Sequence, residues 1–74
     1  MQEILQAIIT ELKTMTKSKI TVESKIKDLG IDSLDLLQSV TNLEEKLNIQ
    51  ISDEELLTIK SVKDLLSIIE TKLN

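Results

Sequence analysis

No cysteine and no histidine occur in the 74 residues. Their absence excludes a disulfide framework, a Cys/His zinc site and every nucleophilic arrangement that needs a histidine or a thiol of the chain itself. Aromatic residues are missing as well, and with them the rings that anchor many cores and on which nucleic-acid bases stack. All nine basic side chains are lysine. Bidentate recognition of phosphate by guanidinium is therefore excluded, and the net charge of −4 repels nucleic acid and anionic lipid. No apolar run approaches the roughly 18 to 20 residues of a membrane span, and no basic segment leads into a hydrophobic stretch at the start. The expectation is a soluble, cytoplasmic monomer with no nucleic-acid partner and no membrane insertion.

What is present is aliphatic. Hydrophobic residues make up 41% of the chain, chiefly Leu and Ile, enough for one small core and hence one expected domain over residues 1–74. With neither disulfide nor metal to supplement it, stability must come from packed helices. Charge is unevenly placed. Residues 1–31 hold five Lys against four acids, net +1, whereas residues 32–74 hold four Lys against nine acids, net −5.

Apolar residues Ile4, Leu5, Ile8, Leu12 and Met15 fall within about 100° on a helical projection and predict one amphipathic helix. Between it and Ile31 the apolar positions Ile20, Val22, Ile26, Leu29 and Ile31 are too irregular for a regular element, so a long loop pinned by five anchors is expected. Gly30, the only glycine, sits just before the next helix, where an unusual backbone angle is tolerated. Asp32 is an acidic N-cap candidate, with Asp35 three residues later. The helix it opens should run to about Leu47 with a core stripe of Leu36, Val40, Leu43 and Leu47, within about 60° of one another. Leu34 projects to the opposite, polar side, and Leu37 lies at the shoulder of the stripe. Ser52 and Glu55 form a capping box for a short third helix containing Leu56, Leu57 and Ile59. Ser61 and Asp64 repeat that spacing before a last helix with the stripe Val62, Leu65, Leu66, Ile69 and Leu73. The fold class is all-α: a small four-helix bundle of three main helices and one short one.

The run Asp28-Leu29-Gly30-Ile31-Asp32-Ser33-Leu34-Asp35 is the informative one. Its core, Asp-Ser-Leu, is on its own simply how a capped helix can begin. The longer string, its place at the start of the second helix, the length and acidity of the chain and the helix order together resemble the acyl carrier protein family. The likeness extends through Ile51-Ser52-Asp53-Glu54-Glu55 and the Ser61-Val62 start of the last helix. It implies that Ser33, flanked by Asp32 and Leu34, is the attachment point of a covalent 4′-phosphopantetheine arm. A separate phosphopantetheinyl transferase would transfer that arm from coenzyme A, and the chain would be a carrier rather than an enzyme. Its place would then be in fatty-acid biosynthesis or related lipid metabolism. An anion there would meet unpaired amides and the positive end of the helix dipole. Asp32 and Asp35 oppose it by like-charge repulsion and make more sense as contacts for a basic enzyme. A hydrolase reading fails for want of a histidine, and the first turns of the second helix offer no lysine for a Ser-Lys dyad.

Read through the same resemblance, the outer face of the second helix becomes a docking surface of Leu34, Asp35, Leu37, Gln38, Thr41, Glu44 and Glu45. Acyl-synthesising and acyl-transferring enzymes with basic patches would meet it. Gln38 and Lys46 stand where many relatives are acidic, which thins its negative charge. Leu36, Val40, Leu43, Ile51, Ile59 and Leu65 are candidates to line a pocket for the acyl chain, and ordinary core packing is the stronger account of each taken singly, the two roles being compatible. Two other readings stay open: a carrier of aminoacyl, nonribosomal-peptide or polyketide intermediates, and an unmodified helical interaction module.

Overall fold

A computed structural model of the chain describes residues 2–73, and among them the architecture is four α-helices: α1 (Gln2–Lys13), α2 (Ser33–Leu47), α3 (Asp53–Leu57) and α4 (Val62–Leu73). The all-α bundle expected from the apolar periodicities is the fold observed. Helix α1 packs against both α2 and α4, which is what the width of its apolar face requires. Ile8 and Leu12 of α1, Val40 and Leu43 of α2, and Val62, Leu65 and Ile69 of α4 meet as the centre of the core, each at most 2% exposed.

The helix ends follow from local chemistry. The Asp32 carboxylate accepts the Asp35 N–H at 2.9 Å, so the acidic N-cap expected for α2 is formed. At the other end Asn48 takes the left-handed conformation (φ 57°), and its N–H and that of Ile49 both close on the Glu44 carbonyl. The capping box of α3 is reciprocal: the Glu55 N–H donates to Ser52 Oγ at 3.1 Å, and the Ser52 N–H donates to Glu55 Oε1 at 3.0 Å. Ahead of α4, Asp64 N–H donates to Ser61 Oγ, and Asp64 Oδ2 accepts the N–H groups of both Lys60 and Ser61.

The long segment between α1 and α2 departs from the expectation of a loop without regular structure, because residues Lys27–Leu29 form one turn of 3-10 helix. Its anchoring is as expected at Ile20, Ile26, Leu29 and Ile31, all buried, with Val22 half-buried. Backbone pairing adds to it: Ile26 N–H donates to the Lys60 carbonyl at 3.0 Å and Val62 N–H to the Ser24 carbonyl at 2.9 Å, while Thr16 Oγ1 closes on the Leu29 carbonyl at 2.8 Å. The segment is thereby fastened to the start of α4. Helix α3 departs in a second way. Leu56 packs against the core, but Leu57 is 79% exposed, because consecutive residues on a five-residue helix point about 100° apart and only one can face the bundle.

Gly30 ends the 3-10 turn at φ 75°. A Cβ built there meets nothing within 4 Å, so Gly30→Ala tests backbone conformation without a clash. It should cost about 1 kcal/mol from the left-handed penalty, read as a lowered urea midpoint at unchanged slope, and Gly30→Asn should recover part of the loss.

Candidate functional site

Residues from three separate stretches converge at the N-terminus of α2. Ser33 is the first residue of the helix and its side chain is exposed. Its hydroxyl makes no hydrogen bond to the protein among the described residues. The turn beneath it is partly satisfied from within: Asp35 N–H is taken by the Asp32 carboxylate and Leu36 N–H by the Asp32 carbonyl at 2.9 Å. Among the described residues the N–H groups of Ser33 and Leu34 keep no protein acceptor, and they lie at the end of a 15-residue helix whose dipole favours an anion there. A phosphate ester at Ser33 Oγ therefore fits the donors present.

Ser33 also stands on the wall of an open cleft of about 800 Å³, within the size range of small-molecule sites. The floor is aliphatic, from Ile26, Ile31, Leu36 and Ile59, and the rim carries Asp32, Asp64 and three lysines, Lys25, Lys27 and Lys60. The first turns of α2 carry no lysine. The fold supplies these three from the α1–α2 segment and from the turn before α4, brought together by the Ile26–Lys60 and Ser24–Val62 backbone bonds. None is hydrogen-bonded to Ser33 among the described residues, so no general base is positioned on its hydroxyl.

Of the six pocket candidates, Leu36 and Ile59 line this cleft. Val40, Leu43 and Leu65 lie in the core instead, and Ile51 lines a separate depression beside Glu44, Ser52 and Lys72. Along the outer face of α2, Leu34 is 76% and Leu37 44% exposed, with Asp35, Gln38 and Glu45 also exposed. Three members of the face are engaged by the protein: Gln38 Nε2 donates to Asn42 Oδ1 at 3.2 Å, Thr41 Oγ1 donates to the Leu37 carbonyl, and Glu44 Oε2 accepts the Ile51 N–H at 2.8 Å, tying α2 to the connection that follows it. On the inner side, Ser39 is fully buried with its hydroxyl 2.9 Å from Met15 Sδ, a contact between residues that no periodicity would pair.

The single ion pair among the described residues joins Lys72 Nζ to Glu55 Oε1 at 2.8 Å. That bond, with the Ser52 N–H second, holds the Glu55 carboxyl below the usual glutamate range. A depressed folded-state pKa means stability that is present above the unfolded value of about 4.3 and is lost as pH falls through the lower folded value. The wild-type urea midpoint should therefore decline across that window more steeply than that of Glu55→Gln; parallel curves would show that the pair contributes nothing.

The family described as "Phosphopantetheine attachment site" matches residues 2–69. An acyl carrier protein homolog of Mycoplasmopsis pulmonis is 54% identical over 69 residues, covering 93% of this chain and 94% of that one. The acyl carrier protein of Helicobacter acinonychis is 42% identical over 69 residues, covering 92% and 88%. Among solved structures, an acyl carrier protein of Thermotoga maritima superposes with a TM-score of 0.80 at 32% identity, over 97% of this chain and 87% of that one.

Proposed function

The chain belongs to the acyl carrier protein family, and on that premise we propose that Ser33 is its attachment residue and that it shuttles acyl groups between biosynthetic enzymes in the cytoplasm. The observation that carries the assignment is the exposed Ser33 hydroxyl at the first residue of α2, beside two amides without acceptors and an apolar cleft. A 4′-phosphopantetheine arm supplies what a chain without cysteine lacks, a thiol that can hold an acyl group as a thioester. Every other contribution comes from the chain. Asp32 caps α2 and so fixes Ser33 at the helix end, the Ser33 and Leu34 amides would hold the phosphate, and Leu36 and Ile59 give the cleft an aliphatic lining.

With no histidine, and no lysine bonded to its hydroxyl, Ser33 depends on a separate phosphopantetheinyl transferase to accept the proton that leaves Oγ. Docking to that enzyme, and to acyl-synthesising and acyl-transferring enzymes with basic patches, runs through Leu34, Asp35, Leu37, Gln38 and Glu45, with Thr41 and Glu44 at the edge. Two apolar contacts, Leu34 and Leu37, among screened charges give weak, fast, salt-sensitive encounters, the kinetics that a shuttle with many partners needs. Intact mass after incubation with coenzyme A and a phosphopantetheinyl transferase tests the assignment: one phosphopantetheine should be gained, and an unchanged mass would refute it.

A further inference from the structure

Resting on the reading of Ser33 as the attachment residue, we propose that Lys25, Lys27 and Lys60 form a cationic clamp that holds the arm's phosphodiester against the mouth of the cleft. The chain as a whole carries a net charge of −4, yet the rim of this cleft has three lysines against two aspartates. Both aspartates are already engaged by backbone amides: Asp32 by the Asp35 N–H, Asp64 by the Lys60 and Ser61 N–H groups. The lysines are exposed and, among the described residues, none is in an ion pair. Three lysines thus stand on the wall that Ser33 shares, with no carboxylate of the described residues paired to them.

An anion covalently attached at Ser33 meets this rim at the high effective concentration of an intramolecular partner, which an acidic surface of another protein would lack. Lysine is suited to the task because it acts as a mobile point charge and needs no fixed bidentate geometry. The Ser33 and Leu34 amides would hold the phosphate from the helix side and the ammonium groups from the cleft side. The arm would then leave Ser33 directed over the aliphatic floor instead of into solvent. Since the lysines are exposed, the clamp should weaken with salt, and a basic patch on an approaching partner enzyme would compete with it for the phosphate.

The test uses the arm-bearing protein, with intact mass confirming one phosphopantetheine in each variant, and reads the phosphorus-31 resonance of the phosphodiester. Salt is varied from about 10 mM to about 1 M, over which the Debye length contracts from about 30 Å to about 3 Å. The wild-type resonance should move with salt. In the triple variant Lys25→Gln, Lys27→Gln, Lys60→Gln, the low-salt position should coincide with the high-salt one. The triple variant Lys13→Gln, Lys17→Gln, Lys19→Gln removes the same charge from the cleft beside Ile20, which shares no lining residue with the Ser33 cleft, and should keep the wild-type response. Equal loss in both triples would reduce the effect to net charge and overturn the clamp, as would a wild-type resonance indifferent to salt; either result leaves Ser33 as the attachment residue. Failure of the wild type to gain the arm would remove the Ser33 assignment and the clamp together.

Discussion

Ser33→Ala should abolish the gain of one phosphopantetheine completely, with no loss of helix. The substitution removes a hydroxyl from the first residue of α2 and touches nothing else that holds the helix together. The N-cap is Asp32, whose carboxylate and carbonyl take the Asp35 and Leu36 N–H groups, and alanine is the better helix former. Circular dichroism and the urea midpoint should stay where they are or rise slightly. The other serines are not equivalent to Ser33. Ser39 is fully buried, Ser52 and Ser61 accept the N–H groups of Glu55 and Asp64 as caps, and Ser24 is engaged with Thr21. Ser18 and Ser67 are exposed, but neither opens a helix beside the cleft. A Ser33→Ala protein that still gained the arm would mean that the attachment residue had been misassigned; one that lost it together with its helical signal would mean that Ser33 matters to the fold.

Much of this was legible in the sequence because it is local. Asp32 with Asp35, Ser52 with Glu55 and Ser61 with Asp64 are three residues apart, the spacing at which a side chain reaches back to a free amide. Val40 with Leu43, and Leu65 with Ile69, repeat at the helical period. Leu34 could be assigned to the outer face from projection alone, and it is 76% exposed. What stayed hidden depends on pairs distant in sequence. The backbone bonds from Ile26 to Lys60 and from Val62 to Ser24 bring Lys25, Lys27 and Lys60 to one rim, and no periodicity encodes that meeting. Glu44 seemed free on the helix face, but its carboxylate closes on Ile51 across the bend after Asn48. The turn at Lys27–Leu29 was illegible because one turn of helix carries too few residues to show a period.

Leu65→Ala should destabilise the protein by about 2 to 5 kcal/mol and Leu36→Ala by distinctly less, a contrast that separates core from cleft among the residues proposed to meet the acyl chain. Leu65 is fully buried against the α1 and α2 contacts of the core, so truncation forfeits its transfer free energy and leaves a cavity that the packed helices cannot close. Leu36 is half-buried and lines the open cleft, where water or a side chain can fill the space. The total stability of a domain of this size is itself only about 4 to 11 kcal/mol at roughly 0.05 to 0.15 kcal/mol per residue, no cysteine is available for a disulfide, and no cluster of candidate metal ligands occurs among the described residues. Leu65→Ala should therefore shift the urea midpoint by a large fraction of its value and can leave a measurable unfolded population in water. If Leu36 meets the acyl chain, Leu36→Ala should have its greater effect once the protein is loaded: the gain in urea midpoint on acylation should shrink in that variant. An equal gain in Leu36→Ala and wild type would remove Leu36 from the acyl site, and equal destabilisation by the two apo variants would show that Leu36 belongs to the core.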